Sequence, residues 1–471
     1  MENKKKFVVI SMDQVNKIMS GPGQRAWELA IRLSEQYQVT LYTPNISDLT
    51  SEQFQIKSFD LLNPIELRAD CGSADYILYQ TVRLYLREWA GKDTKIIADL
   101  FDPIFLEALE VYKYKSLKYQ SEIHQALIEE IKQTIINSDY FICANQRQKD
   151  LWLGFIFLLG KTNPASYHDY PNLENLITIV PFGLPEKLDL RKTSNTPGLP
   201  SKDSGILRNS SKGNLNSKAS LRKKFGFSDH DKLVVWTGGL WNWFDTEIII
   251  EAFKIISQTR RDIKMVFYGY KLVNTDMGSE VTMSADKAYA LAKKYRLLDS
   301  AVFYYPDWIS PSEMLNHLEE ADIGISTHYD NLETRFSNRT RALYFIKARL
   351  PFITTKGDIF AELVEQKQLG RVVDQGDTNQ LANTIIELLD SDLNSIKGQF
   401  DLIDQELSWD QGVANLNQML AIDNTKYQQF KLKPKKDTKL KYLIRETLRK
   451  LGLLGIVRSL RIKVKERQIN E

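Results

Sequence analysis

Cysteine and histidine are scarce in this chain. Its 471 residues include two cysteines, Cys71 and Cys143, and five histidines. Two cysteines cannot build a disulfide framework, and neither residue type shows the close spacing of a metal site. Cys143 ends the apolar run Tyr140-Phe141-Ile142-Cys143, which reads as a strand with a buried thiol. A reducing compartment is the expectation. No apolar run approaches the roughly 20 residues of a membrane span. The run Phe7-Val8-Val9-Ile10, preceded by Lys4-Lys5-Lys6, is too short for a signal core and is soon followed by Asp13. The expected location is cytoplasmic.

Charge is nearly balanced, with 63 Lys and Arg against 60 Asp and Glu. The balance conceals an asymmetry. From Asn424 onward, 15 Lys and Arg face 4 Asp and Glu, a net +11, which leaves −8 for the rest. Positive charge confined to the tail argues against a general nucleic-acid surface. Within the tail, Leu440, Leu443, Ile444, Thr447, Leu448, Leu451 and Leu454 fall on one helical face, with Lys439, Lys441, Arg445 and Arg449 opposite. Residues 438–454 therefore predict a basic amphipathic helix. It suits an anionic membrane surface, or packing on the protein with a solvated basic face.

Short apolar runs alternate with helical stretches along the rest. Phe7–Ser11, Gln38–Tyr42, Tyr76–Tyr79, Ile96–Leu100, Tyr140–Ala144 and Ile177–Val180 read as strands, and Gly21-Pro22-Gly23 opens a helix over Ala26–Leu33. Residues 1–185 thus predict one doubly wound α/β domain. Residues 186–228 are poor in large apolar groups and read as a polar, flexible linker or insertion. Alternation resumes over 229–400 with Leu233–Trp236, Met265–Tyr268, Val302–Tyr305, Ile323–Ser326, Phe352–Thr355 and Gly370–Val373. Residues 401–423 form a further helical region, and 424–471 the basic tail. Such folds bind ligands outside the carboxyl ends of their strands.

The richest segment is Glu333 to Asp358. It lies between the strands Ile323–Ser326 and Phe352–Thr355, with Ser337 or Asn338 placed to cap a helix. A helix start favours an anion, and Arg335, Arg339 and Arg341 crowd this one. Glu333 stands just upstream, where it suits sugar hydroxyls. The alternative is a solvated arginine face, which contributes little. Gly21, Gly23 and Arg25 form a glycine-rich loop before a helix, either a ligand loop or an ordinary turn. Asp99 and Asp102 follow the run Ile96-Ile97-Ala98, suited to a cleft or to an Asx turn. Gly238 and Gly239 lead into Trp241 and Trp243, read as two exposed rings of which either suits stacking on a base or sugar, or of which one packs under the loop. Gly269 and Tyr270 end another strand in the same manner. Asn145 reads as a helix cap, which leaves Arg147 little need of a ligand role.

The segment after Ile323–Ser326 resembles the donor-binding region of the family 4-like, retaining glycosyltransferases of GT-B fold. That family carries a Glu, seven residues, a second Glu and then a small-residue-Pro turn. Glu333 matches the first Glu, and Arg341 stands where the second belongs. The resemblance implies two Rossmann-like doubly wound domains facing across a cleft, an α/β GT-B fold with an appended basic tail, and a helix crossing back to the first domain. It implies that Glu333 contacts the donor sugar, with Asp99 and Asp102 serving sugar or acceptor. The donor phosphates would be held by the glycine loops, Arg335, Ser337, Asn338, Arg339 and Arg341. It implies a nucleotide diphosphate sugar as donor, a lipid-linked or polysaccharide acceptor, and no metal or other cofactor. No Asp-x-Asp motif marks a metal-dependent enzyme of the other glycosyltransferase fold. The missing Arg/Lys pair in the loop at Gly238 and the Glu-to-Arg change at 341 also admit an inactive relative that serves another transferase.

Overall fold

The computed structural model describes residues 4–61, 63–80, 84, 86–185, 220–270, 282–403 and 406–424. Seven strands belong to the first sheet: β1 (Lys6–Ile10), β2 (Gln38–Thr43), β3 (Gln55–Ser58), β4 (Tyr76–Gln80), β5 (Lys95–Asp99), β6 (Tyr140–Cys143) and β7 (Ile177–Ile179). Six form the second: β8 (Lys232–Trp236), β9 (Ile263–Phe267), β10 (Val302–Tyr304), β11 (Ile323–Ser326), β12 (Phe352–Thr355) and β13 (Gly370–Val373). The apolar runs become strands because helices cover both faces of each sheet, so nearly every residue of β1, β4 and β8 is buried. All recorded strand pairings are parallel.

The sheet orders are β3-β2-β1-β4-β5-β6-β7 and β10-β9-β8-β11-β12-β13. The winding direction reverses between β1 and β4 in the first sheet and between β8 and β11 in the second. These are the switch points where a crevice opens outside the strand ends. Two elements escape the apolar pattern. Strand β3, with sequence Gln-Ile-Lys-Ser, is a half-exposed edge and carries little hydrophobic signal. The helix Leu117–Asn137 buries only Ile131, Thr134 and Ile135, so its periodicity is faint.

The second domain begins by Ser220, earlier than a linker over 186–228 predicts. The helix Leu221–Phe225 is capped by the Ser220 hydroxyl, and Glu320 accepts from the backbone N–H of both Leu221 and Arg222. Residues 186–219, the segment 271–281 and the tail helix expected over 438–454 lie outside the described residues. No helix among the described residues is long and apolar enough to cross a membrane.

The chain returns to the first domain through the helix Trp409–Ala421. Arg32 pairs with Asp410 at 2.8 Å, Tyr37 donates to Asn417 at 3.0 Å, and Asn415 donates to the Ile179 carbonyl at 3.0 Å. Beneath this crossing, Gly183 lies against Trp409 so closely that a Cβ would sit 2.4 Å from the indole. Gly183→Ala should therefore lower stability by roughly 1–3 kcal/mol, the usual range for overpacking. Chemical denaturation measures this, and an unchanged midpoint would show that the crossing is not tightly packed.

Candidate active site

Both switch points face one interdomain crevice, and the loops that follow β8 and β11 form its floor. In the β8 loop, Gly238 has φ +75° and Gly269, after β9, has φ +72°. A Cβ on Gly269 would stand 2.5 Å from the Gly238 carbonyl oxygen, so the two glycines permit a close backbone crossing. Trp241 stacks on Trp243 at 5.4 Å with the rings 13° apart. Trp243 is buried and Trp241 half-buried. The expected exposed pair is thus mainly a packed support for the loop, because stacking on each other removes both rings from water. Tyr270 joins Tyr289 and Tyr304 in an aromatic trio with centroids 4.9–5.2 Å apart.

Asn242, in the same loop, escaped the sequence reading. It is fully buried and its amide joins three elements. Nδ2 donates to the Val111 carbonyl of the first domain at 2.9 Å, and Oδ1 accepts from the Ser284 N–H at 3.1 Å. The Asn242 carbonyl also accepts from Lys113 Nζ at 2.7 Å. The glycine loop is thereby tied to the opposite wall. Arg147, read as having little need of a ligand role, is a second tie. It donates to the Gly357 and Arg335 carbonyls and pairs with Glu362 at 2.5 Å.

After β11 the polar loop contains a short helix, Leu332–Phe336, capped by Asn331. Glu333 is buried and receives both Nη atoms of Arg339, at 2.8 and 2.6 Å. Burial opposes the Arg339 charge, but Glu333 outweighs it and the guanidinium pKa rises. Ser337 does not cap the next helix. It ends Leu332–Phe336, and its hydroxyl donates to Glu333 at 2.5 Å. The following helix, Thr340–Lys347, starts after Arg339 without a side-chain cap, so Asn338 is no cap either. Asn338 is half-buried, and its Nδ2 lacks a protein partner. Arg335 points outward, exposed beside Phe336.

Arg341 is buried in the first turn of Thr340–Lys347. Its guanidinium stacks on Trp236 at 3.8 Å and Phe244 at 3.9 Å, and Nη2 donates to the Gly239 carbonyl at 2.9 Å. Nη1 has no protein partner, and no carboxylate among the described residues pairs with this arginine. Burial, followed by the neighbouring Arg339, pushes its pKa well below the usual arginine range. Around it lie further buried polar atoms without protein partners: Trp236 Nε1, Thr237 Oγ1, Ser326 Oγ, Arg339 Nε and both ring nitrogens of His328. Burial and the two arginines hold His328 neutral, 3.7 Å from the Asp358 carboxylate. Asp358 caps the helix Ile359–Lys367, and burial raises its pKa to about 6.

The first domain corrects two expectations. Arg25 does not reach the crevice as a phosphate contact. It is fully buried against Asp99 through two hydrogen bonds of 2.7 and 2.9 Å, its guanidinium over Phe101 and Phe182. Asp99 is consumed by the same pair and holds no sugar. Buried opposite charges need each other more than either needs a ligand. Asp102 instead faces the crevice. It hydrogen-bonds Glu107, a residue absent from the sequence reading, and both lie within the field of Glu333 and Arg339. Burial, tempered by the Glu107 bond, raises Asp102 to about 6; burial and Asp102 push Glu107 well above its ordinary value. The pair therefore holds on to a shared proton at higher pH than an isolated carboxylate would. Gly21 begins the helix Gly21–Ser34, and a Cβ there would be 3.5 Å from Thr340. Two helix N-termini meet across the crevice. At Gly23, inside the helix Gly21–Ser34, a Cβ would collide with the Gln14 carbonyl at 2.3 Å, so this glycine lets the preceding loop pack against the helix.

Residues 231–391, which span the second domain from β8 onward, match the family model of glycosyl transferases group 1. Among curated proteins no sequence matches. Among solved structures the chain is similar to WaaG, a glycosyltransferase involved in lipopolysaccharide biosynthesis, at 14% identity and TM-score 0.56, over 87% of this chain and 98% of that one. It is similar to a UDP-forming alpha,alpha-trehalose-phosphate synthase from Burkholderia xenovorans, at 12% identity and TM-score 0.59, over 88% and 100%. HepE of Anabaena, solved with UDP-glucose, aligns at 12% identity and TM-score 0.54, over 88% and 98%. At such identities the structural likeness establishes the fold, two facing parallel-sheet domains of GT-B type. The family match supports glycosyl transfer from a nucleotide sugar.

Arg25→Met should cost about 3–5 kcal/mol by stranding Asp99, whereas Arg25→Met with Asp99→Asn should cost much less. Equal losses in denaturant titrations would show that the pair is not coupled. Asp102 gives a pH test. Its folded pKa is raised from 3.8 to about 6, so the proton it holds stabilises the fold below pH 3.8, and that contribution is lost as pH rises through 6. Asp102→Asn should match the wild-type melting temperature near pH 4 and exceed it near pH 7.5. An identical difference at both pH values would contradict the raised pKa.

Proposed function

We propose that this protein is a retaining glycosyltransferase that moves a sugar from a nucleotide diphosphate sugar to a lipid-linked or polysaccharide acceptor. One observation carries the reading: a buried arginine with no carboxylate partner lies where two helix starts converge on the crevice floor. Arg341 is buried with Nη1 unpartnered, and the starts of Gly21–Ser34 and Thr340–Lys347 meet beside it. A diphosphate supplies the missing negative charge. The Gly238–Gly239 backbone lets that group approach closely, and the aromatic trio at Tyr270 gives the base a wall.

Glu333 then acts from a fixed position. Arg339 and Ser337 lock its carboxylate, leaving its remaining lone pairs for hydroxyls of the donor sugar. Positive charge near the leaving diphosphate stabilises the charge that develops there as the glycosidic bond breaks. The acceptor hydroxyl approaches from the leaving-group side, close to Asp102. A proton shared between Asp102 and Glu107 keeps that wall less negative than two ionised carboxylates would, and so less repulsive to the diphosphate. No metal is invoked. The Arg341 substitution also motivates an inactive relative that serves as a partner subunit, and donor binding separates the two.

A thermal-shift screen of uridine, guanosine, thymidine and adenosine diphosphates with their sugar conjugates tests the reading. A ligand at 100 times its dissociation constant should add about 2.7 kcal/mol. A selective shift supports the donor pocket, and no shift with any of them favours the inactive relative. With a responding donor, Glu333→Gln should reduce turnover strongly while retaining the fold. Turnover near wild type would refute the role given to Glu333.

A further inference from the structure

The crevice has two chemically different ends. One holds Arg341, buried without a carboxylate partner where two helix starts converge. The other holds three carboxyl groups, Asp102 and Glu107 from the first domain and Glu333 from the second. Gln148, fully buried, keeps the two domains together at this end. Its Nε2 donates to the Phe101 carbonyl at 2.7 Å, next to Asp102, and to the Phe336 carbonyl at 2.9 Å, at the end of the short helix that carries Glu333. The helix Ile104–Val111, which carries Glu107, packs on the same short helix. Asp102 and Glu107 are both half-buried and hydrogen-bonded to each other. Glu333 repels both, and among the described residues the one cation acting on both is Arg339. Both Nη atoms of Arg339 are already engaged by Glu333. Arg341 acts on Arg339 and His328 instead. With Glu333 balanced by Arg339 and one proton shared between Asp102 and Glu107, this end still carries a net negative charge.

A diphosphate suits the first end. An anionic group on the sugar itself would have to enter the second, where like charges meet partly out of water and repel. A hydroxyl meets no such repulsion, because it can donate to a carboxylate and accept from a protonated carboxyl. We infer that Asp102 and Glu107 act with Glu333 as a charge filter on the donor sugar, admitting an uncharged sugar and excluding a uronic acid. The filter discriminates by repelling the wrong donor rather than by a contact unique to the right one. The inference rests on the donor site proposed above and adds to it the class of sugar transferred.

The test is calorimetric titration of the full chain with donor pairs that differ only in a carboxylate replacing a hydroxymethyl group. These are the glucose and glucuronate, and the galactose and galacturonate, conjugates of whichever nucleoside diphosphate responds in the thermal-shift screen. In each pair the uronate should bind the wild-type protein at least about tenfold more weakly. Asp102→Asn with Glu107→Gln should narrow that gap to about threefold or less, since both changes keep the shape and remove the charge. Glu107→Gln alone, the milder change, should narrow it in the same direction. Comparing the two donors of a pair cancels any general effect of these changes on diphosphate binding. Equal or tighter binding of the uronates by the wild-type protein would overturn the filter, as would a gap that both variants leave intact. A screen in which no nucleotide binds overturns the donor site, and the filter falls with it. A donor that binds without discrimination overturns the filter alone.

Discussion

A buried guanidinium without a carboxylate is the constraint on which this site is built. Arg341 lies out of water, and what holds it is two aromatic faces and the Gly239 carbonyl. Its neighbour Arg339 has taken the available acid, Glu333, through a bidentate contact. Removing a charge from water is expensive unless charge or hydrogen bonds compensate it. The fold leaves that compensation incomplete where two helix starts add further positive potential. The same contact fixes the glycine loop, because the carbonyl that Arg341 holds belongs to that loop. Arg341, Gly239 and the Trp236 strand end thus form one mechanical unit.

The unit works only with both domains in place. Asn242 bonds to the first domain through Val111 and receives Lys113 on its own carbonyl. Gln148 donates to the Phe336 carbonyl at 2.9 Å, and Arg147 reaches Gly357 and Glu362. Gln24 donates to the Tyr344 hydroxyl at 2.9 Å near the converging helix starts. Each contact joins a loop or helix end, where small rotations of one domain move a donor past an acceptor. The glycine loop and the domain interface therefore share their hydrogen bonds.

The architecture could be read from the chain because buried parallel strands are short apolar runs, and twelve of the thirteen appear as such. Strand β3 does not, since a half-exposed edge need not be apolar. The crevice residues that were readable are those in a local pattern: Glu333 with its arginines, and the glycines beside Trp241 and Trp243. Geometry that depends on distant partners was not readable. Nothing near Arg25 announces that Asp99, 74 positions away, will neutralise it inside the core. Ser337 has a capping residue's chemistry, yet a short helix ahead of it turns its hydroxyl to Glu333. Glu107 and Asn242 belong to no motif and acquire meaning only when the two domains face each other.

A crystal structure with a nucleoside diphosphate tests the central claim most directly. The account predicts a phosphate oxygen about 2.7–3.2 Å from Arg341 Nη1, with the diphosphate between the Gly239 backbone and the start of Thr340–Lys347. A diphosphate bound elsewhere, with Arg341 still held only by Trp236, Phe244 and the Gly239 carbonyl, would contradict it.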